Sequence, residues 1–282
     1  MYPAKNIYTL NLGGDILLID KPLVMGILNI TPDSFYDGGL HDTHTKILTH
    51  TEKMLSDGAA IIDVGAYSSR PGSSEVTVEN EMSRLKPVLQ LLKKKFPSIK
   101  ISVDTFRSQV ANMAVNEGAC MINDISGGAM DSDMLPTMAR IKVPYVLMHM
   151  RGTPHNMTGM TDYQNIVAEI MQYFAQKTDA LKKHGIYDII IDPGIGFAKN
   201  IEQNFHILKN LSYFNELGLP LMVGISRKSF IYKTLDTDSL HALNGTTSMH
   251  TSALMQGAQI LRVHDVKEAV ETVKLVQKLN IN

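Results

Sequence analysis

The chain has 282 residues, 44% of them hydrophobic and 20% charged, which is ordinary for a globular protein with a large core. The formal net charge of −1 argues against a broad nucleic-acid-binding surface, and the single cysteine excludes an intrachain disulfide and a cysteine-based metal cluster. No apolar run approaches the roughly 20 residues of a membrane helix, and the N-terminus lacks the continuous apolar region of a signal peptide. The sequence therefore predicts a cytoplasmic protein with neither a membrane nor a nucleic-acid partner.

The first predicted element is a β-hairpin. Residues 6–19 contain two short alternating apolar runs on either side of Gly13 and Gly14, a pattern that favours two antiparallel strands joined by a tight turn. We expect this hairpin, within residues 1–20, to cover the N-terminal end of the fold formed by residues 21–282. We expect residues 1–282 to form a single domain, in which the hairpin has no chemical role.

Eight short, nearly all apolar segments follow, as expected for parallel strands that are covered on both faces. They are Leu23–Asn29, Ala60–Gly65, Lys100–Asp104, Cys120–Asp124, Pro144–His149, Asp188–Asp192, Leu219–Gly224 and Gln259–His264. The predicted helices are Thr43–Asp57, Val78–Lys95, Arg107–Glu117, Asp131–Ile141, Asp162–His184, Ile201–Leu217, Ser239–Gln256 and Asp265–Leu279. Glycines 58, 118, 185 and 218 or 257 mark helix ends. Eight alternations predict an α/β fold, a (β/α)8 TIM barrel, over the alternative of a doubly wound open sheet.

Polar side chains stand at the C-terminal end of every predicted strand, where barrel enzymes carry their sites. They are Asn29, Asp63, Asp104, Asn123, His149, Asp192, the segment Ser226–Ser229, and Arg262 with His264. One or two such residues would mean little, but polar residues on all eight strands predict a site at this face.

One group of these side chains suits a flat heterocycle that is rich in N–H donors. Asp104, Asn123 and Asp192 come from the third, fourth and sixth strands, and their oxygens accept such hydrogen bonds. Met148 and Phe197 are placed to pack against the faces of such a ring. The sequence therefore predicts a heterocycle in the barrel mouth.

A second group is expected to surround the mouth with positive charge and donors: Asn29, Arg70, Lys228, Arg262 and His264. Cations at this place, together with the loops after strands 7 and 8, fit a phosphate or diphosphate. Asn29 offers one neutral oxygen to a Mg²⁺ ion that keeps several waters and binds phosphate oxygens.

Structural roles are the alternatives for several of these residues. Asp104 with the next residue would cap a helix, and Asp63 would hold the loop after the second strand. His149 would be a core histidine, and His264 would only precede an N-cap at Asp265. The sequence contains no full dinucleotide-binding fingerprint, zinc-hydrolase motif or serine elbow.

The motifs at these strand ends resemble those of the dihydropteroate synthase family, from about residue 20 to 270. They are Met25-Gly-Ile-Leu-Asn-Ile-Thr-Pro-Asp-Ser-Phe35, Asp63-Val-Gly65 with Ser69-Arg-Pro-Gly72, Val103-Asp-Thr105, Ile122-Asn-Asp-Ile-Ser126, Met148-His-Met150 with Gly152-Thr-Pro154, Asp192-Pro-Gly-Ile-Gly-Phe197, Gly224-Ile-Ser-Arg-Lys-Ser-Phe230 and Leu261-Arg-Val-His-Asp265. The resemblance implies that 6-hydroxymethyl-7,8-dihydropterin diphosphate is joined to 4-aminobenzoate, with release of diphosphate, by Mg²⁺-assisted dissociative alkyl transfer. It also implies a homodimer and a sulfonamide target.

The resemblance also implies residue roles. The pterin set is Asp104, Asn123, Met148, Asp192, Phe197, Gly224 and Lys228. The diphosphate set is Asn29, Arg262 and His264, and Asn29 is the metal ligand. The 4-aminobenzoate set is Phe35, Ser69, Arg70, Pro71, Lys228 and Ser229. The catalytic set is Asp33, Arg70, Lys228, Arg262 and His264.

One position departs from the family pattern. Many members read Gly-Glu-Ser-Thr-Arg-Pro-Gly in the second loop, where this chain has Tyr67 in place of the glutamate and Ser69 in place of the threonine. Ser69 keeps the hydroxyl, whereas Tyr67 removes a charge near the second strand. Two other functions stay open at this point: a corrinoid methyltransferase with a related pterin-binding barrel, and a pterin-binding protein without catalysis.

Overall fold

The N-terminal hairpin closes one end of a barrel, as the sequence predicts. The structure, a computed structural model, describes residues 7–30, 39–67 and 76–279, with side chains for all of these except 39–42. Strands β1 (Tyr8–Leu12) and β2 (Asp15–Ile19) pair antiparallel. Their turn holds Gly13 and Gly14 at φ 72° and 118°, a region that glycine tolerates best.

The apolar face of the hairpin packs on the N-terminal halves of the barrel strands. Leu10 and Ile19 belong to one buried cluster with Ile61 and Met121, which are the first residues of their strands. This placement leaves the opposite, C-terminal end of the barrel free to carry a site.

Eight parallel strands form the barrel, in the order β8-β7-β6-β5-β4-β3-β10-β9. They are β3 (Leu23–Asn29), β4 (Ile61–Gly65), β5 (Ile101–Asp104), β6 (Met121–Asp124), β7 (Tyr145–Met148), β8 (Ile189–Asp192), β9 (Met222–Val223) and β10 (Ile260–Val263). A parallel bridge between Ile191 and Leu221 joins the two ends of the sheet, and the Ile191 amide donates to the Pro220 carbonyl at 2.9 Å. The sheet is therefore closed, which confirms the barrel over the open sheet.

The described helices lie between these strands and after the last. They are α1 (Gly39–Ser56), α2 (Val78–Lys95), α3 (Ser108–Asn116), α4 (Met134–Ile141), α5 (Ile166–Lys183), α6 (Ile201–Lys209), α7 (Ser229–Thr234), α8 (Leu243–Met255) and α9 (Val266–Leu279). The five glycines expected at helix ends all have positive φ, between 67° and 105°. None of the described helices is both long and apolar enough to cross a bilayer.

Two of the differences between the predicted and the observed helices have clear local causes. The segment predicted as Ile201–Leu217 breaks at Asn210, whose side chain donates to the His206 carbonyl at 2.8 Å, and continues as a 3-10 helix. The helix predicted from Ser239 begins only at Leu243, because the Asp238 carboxylate accepts the amides of two following residues. Helix α7 was not predicted at all.

Candidate functional site

A network of four side chains crosses the C-terminal half of the barrel. Arg262 of β10 donates through Nε to Asp63 Oδ2 at 2.6 Å and through Nη2 to Asp104 Oδ2 at 2.7 Å. Asn123 Nδ2 donates to the same Asp63 oxygen at 2.9 Å. Strands β4, β5, β6 and β10 therefore each contribute one polar side chain to a single arrangement.

Arg262 does not lie at the rim, where the sequence predicts it. It is a residue of β10 itself and points into the barrel, where its side chain is 20% exposed, whereas His264 lies beyond the strand end and is exposed. The carboxylates of Asp63 and Asp104 hold the guanidinium inside. The Arg262 guanidinium thus lies between acidic side chains and not apart from them.

Burial and neighbouring charges shift the pKa values of this network. Burial raises the pKa of Asp104 to about 7; the Arg262 guanidinium opposes this rise, and the Asp63 carboxylate adds to it. Burial alone would lower the pKa of Arg262, but the carboxylates of Asp63 and Asp104 raise it above its ordinary value. Arg262 therefore stays charged, while Asp104 changes its charge near neutral pH.

A second cluster joins the ends of β8 and β9. Asp192 is buried, and its Oδ1 accepts the Gly194 amide at 2.7 Å. The Lys228 ammonium donates to the Ile195 carbonyl and lies 4.6 Å from the centroid of the Phe197 ring, a cation–π contact. This cluster combines an acceptor, a cation and an aromatic face.

Burial also sets the charge state of the second cluster. It raises the pKa of Asp192, which the Lys228 ammonium opposes. It lowers the pKa of Lys228 to about 8; Asp192 opposes this fall, and Arg262 adds to it. Burial therefore favours the uncharged forms of both side chains more than water does.

Gly224 lies between the two clusters, and Gly65 lies beside the first. A Cβ added to Gly224 would lie 3.9 Å from both Arg262 Cβ and Asp192 Oδ2, and 4.0 Å from Lys228 Nζ. A Cβ on Gly65 would lie 3.6 Å from Asn29 Oδ1 and 3.8 Å from Asp104 Oδ2. The bare backbone at these positions leaves room between the charged groups, and Asn29 is brought beside Asp104.

Apolar side chains form part of the same mouth. Met148, at the end of β7, is buried with Phe106 and Ile125, and Phe197 packs partly against this cluster. The structure therefore brings the predicted apolar residues together next to the polar ones.

The remaining predicted residues are at the periphery or outside the described chain. The His264 amide and Nδ1 both lie 3.2 Å from Ser226 Oγ, and Ser229 is an exposed residue at the start of α7. Arg227 forms two hydrogen bonds with Asp265, which links the loop after β9 to that after β10. Five predicted residues lie outside the described residues: Asp33, Phe35, Ser69, Arg70 and Pro71.

The structure decides several of the alternative structural roles. Helix α3 begins after Arg107 without a side-chain cap, and the Arg107 amide donates to Thr105 Oγ1 at 3.3 Å, so Asp104 is not a helix cap. Asp63 binds Arg262 and Asn123 across the barrel; it was expected to hold its own loop. His149 is buried, as a core histidine would be, and burial, helped by nearby cations, lowers its pKa to about 2.

The sequence reasoning missed an ion pair beside the second loop. Arg107 Nη1 donates to Glu81 Oε2 at 2.6 Å and Nη2 to the Val76 carbonyl at 2.5 Å. Its guanidinium lies 5.6 Å from the ring centroid of Tyr67, the residue that replaces the common glutamate, and Tyr67 packs edge-on against Phe106. Glu81 lies on the buried face of α2. An acidic residue at a helix position where apolar residues are expected was therefore the signal in the sequence that could have indicated this ion pair.

Comparisons with known proteins agree on one family. The family model described as pterin binding enzyme matches residues 25–264. A dihydropteroate synthase of Synechocystis sp. is 43% identical over 262 residues, covering 92% of this chain and 90% of the relative. The solved Yersinia pestis dihydropteroate synthase with a sulfonamide drug complex has a TM-score of 0.90 and 39% identity, covering 97% of this chain and 99% of that chain. The Xanthomonas albilineans dihydropteroate synthase with 4-aminobenzoic acid has a TM-score of 0.90 and 36% identity, covering 100% of both chains.

Proposed function

The chain belongs to the pterin-binding enzyme family, and we propose how its residues carry out the dihydropteroate synthase reaction. This transferase joins 6-hydroxymethyl-7,8-dihydropterin diphosphate to 4-aminobenzoate and forms 7,8-dihydropteroate and diphosphate in folate biosynthesis. The observation that supports the proposed roles is the junction at Gly224, where the Arg262 network meets the Asp192–Lys228 cluster.

The pterin is proposed to lie between the two clusters. Asp104, Asn123 and Asp192 offer oxygens to the N–H groups of the heterocycle, and Lys228 offers N–H donors to its carbonyl oxygen. Met148, Phe197 and the open space at Gly224 shape the apolar part of the pocket. A buried polar site rejects rings that leave its groups unpaired, which gives specificity as well as affinity.

The diphosphate is proposed to bind beside Arg262, His264 and Asn29. When Asp63, Asp104, Asp192, Arg262 and Lys228 are all ionised, the carboxylates outnumber the cations, so an anionic leaving group needs further positive charge. The Asn29 side chain beside the Asp104 carboxylate fits one protein ligand of a Mg²⁺ ion, which usually keeps waters and binds phosphate oxygens. When bound there, Mg²⁺ would supply charge stabilisation to the departing diphosphate.

The second substrate is proposed to approach from the loop side. Lys228 and the exposed Ser229 are placed to bind the 4-aminobenzoate carboxylate. Phe35, Ser69, Arg70 and Pro71 are proposed to complete this subsite, and Asp33 and Arg70 to act in the reaction.

The proposed reaction is dissociative. The bond between the pterin methylene carbon and the diphosphate oxygen breaks, and its electron pair leaves with the diphosphate, next to Arg262. The carboxylates of Asp104 and Asp192 stabilise the cation left on the pterin. The aromatic amine then forms the new carbon–nitrogen bond and loses a proton. The homodimer and the cytoplasmic location stay predictions.

Coupled turnover tests the reaction. The purified protein is incubated with dihydropterin diphosphate and Mg²⁺, with and without 4-aminobenzoate, while diphosphate is assayed and dihydropteroate is identified by mass. We expect product only when both substrates are present, and loss of turnover with EDTA that Mg²⁺ restores. Pterin binding without diphosphate release would contradict the proposed roles and favour a binding protein.

The pKa values of the site predict a narrow pH optimum. Asp104 must be ionised to accept an N–H and Lys228 must be protonated to donate, and their pKa values are raised to about 7 and lowered to about 8. We therefore expect kcat/KM for dihydropterin diphosphate to fall below about pH 7 and above about pH 8, as a bell-shaped profile measured at saturating 4-aminobenzoate. The Asp104→Asn variant should lose the acid limb. If the acid limb stays in place in this variant, it arises from another group.

A further inference from the structure

Lys199 is a buried lysine to which the reaction as proposed gives no role. Its Nζ donates to the carbonyls of Phe197 at 2.8 Å and Gly194 at 2.9 Å. The same nitrogen lies 3.2 Å from His149 Nδ1 and 3.4 Å from the His149 carbonyl. Only 9% of the residue is exposed. A buried amino group is stable only when its donors are paired, so these backbone acceptors define its place.

The acceptors belong to a tightly coiled segment that follows β8. Gly194, Gly196 and Ala198 have φ values of 66°, 85° and 49°, in the left-handed region. A Cβ on Gly194 would lie 2.0 Å from the His149 carbonyl oxygen, so the backbones are in close contact. Ala198 is not a glycine, so its left-handed conformation is unfavourable and the surrounding contacts must hold it in place.

This coiled segment forms one wall around Lys228. Its Ile195 carbonyl accepts a hydrogen bond from Lys228, and the Phe197 ring lies against the ammonium. A Cβ on Gly196 would lie 2.8 Å from Lys228 Cδ, which shows how closely the segment packs on this side chain. Gly194 and Phe197, the residues that Lys199 fixes, stand on either side of this contact.

We propose that Lys199 is a positioning residue for Lys228: by bonding the Gly194 and Phe197 carbonyls, it holds the Ile195 carbonyl and the Phe197 ring against the Lys228 ammonium. The contacts of its amino group are backbone carbonyls and the buried His149 ring, so its effect on the site is exerted through Lys228. The inference rests on the proposed function in one respect: that function assigns the binding of both substrates to Lys228.

Lys199→Met tests this role, because methionine keeps much of the length and loses every donor. The control is Lys177→Met, since Lys177 Nζ also donates to a loop carbonyl, that of Gly127 at 3.0 Å, away from Lys228. We expect kcat/KM of Lys199→Met for dihydropterin diphosphate to fall on the order of 100-fold, the size of effect that a small misplacement of a binding group can cause. We expect Lys177→Met to stay near the parent.

The pH profile separates positioning from loss of stability. When the segment relaxes and water reaches Lys228, the pKa of Lys228 rises from about 8 towards its ordinary value, so the basic limb of kcat/KM moves to higher pH in Lys199→Met. An unmoved limb in a folded variant overturns the inference. If Lys199→Met does not fold, the basic limb of Lys199→Gln is measured in its place. Failure of both variants to fold also overturns the inference, because Lys199 would then stabilise the whole fold. A parent that does not couple its substrates would instead contradict the proposed function.

Discussion

Replacing Arg262 with alanine is expected to lower kcat/KM for dihydropterin diphosphate by roughly 1,000-fold or more, since loss of one donor to a developing anion alone removes about 100- to 1,000-fold. The guanidinium bridges Asp63 and Asp104 at 2.6 and 2.7 Å. Without it, the carboxylates of Asp63 and Asp104 would lie beside the proposed diphosphate site with no cation between them. The loss should therefore appear in kcat as well as in KM.

The same substitution is expected to destabilise the fold. Asp63 is fully buried, and its counter-ion would be gone, a change that typically costs about 3–5 kcal/mol. The free energy of unfolding, measured in urea at pH 7.5, should fall by this order.

Three matched variants separate the two effects. Arg262→Lys keeps the charge but not the two-pronged geometry, and should recover part of the stability but little of the activity. Asp63→Asn combined with Arg262→Ala removes both charges and should recover stability alone. Arg140→Ala is the surface control, since this arginine only donates to Asn112 at 3.2 Å in the described part of the chain. Near-parental kcat/KM in folded Arg262→Ala would contradict the diphosphate role.

The barrel could be predicted from the sequence because the patterns that indicate its strands and helices are local. Each strand is a short apolar run, and glycines such as Gly58 and Gly118 end helices in a conformation that other residues adopt poorly. The polar residue at each strand end also follows from local order, since all parallel strands end at the same face. The order of residues along the chain is therefore enough to place Asp104 and Asp192 at the mouth.

The pairing within the mouth could not be read in the same way. The bond between Arg262 and Asp63 joins residues 199 positions apart, and it depends on strand register that no local pattern contains. Strand β9 is similar: the apolar run predicted six residues, but its described ladder with β10 is only Met222–Val223 long. The Arg262 side chain points inward and lies between acidic side chains as a result of the closure of the sheet into a barrel.

The carboxylates of the two clusters, which we propose to face a cationic pterin, have a cost in stability. Burial raises the pKa of both Asp104 and Asp192, so the folded chain binds protons more tightly there than the unfolded chain. Stability therefore falls as the pH rises from the unfolded pKa to the folded one. Ionisation of these buried carboxylates opposes folding, and under the proposed function it serves substrate binding, a trade-off that is common in active sites.

Replacing Asp192 with asparagine should both lower the activity and raise the stability at high pH. The side chain keeps its shape and an oxygen for the Gly194 amide, but it loses the negative charge that we propose strengthens the hydrogen bond from the pterin N–H. We expect kcat/KM for dihydropterin diphosphate to fall roughly 100-fold, from the loss of a charge-assisted hydrogen bond. Thermal unfolding at pH 8 should occur at a higher temperature than in the parent, and this gain should vanish at low pH.

The basic limb gives Asp192→Asn a signature that no general defect would produce. Asp192 holds the pKa of Lys228 up against burial, so its neutralisation should move that pKa, and the limb, below about 8. This direction is opposite to the one expected for Lys199→Met. Asp131→Asn is the control, because the Asp131 carboxylate accepts the Ser108 amide at 2.7 Å outside the site. A limb that moved upward or stayed in place in Asp192→Asn would show that Lys228 does not govern it, and would remove the electrostatic coupling on which the proposed pterin site depends.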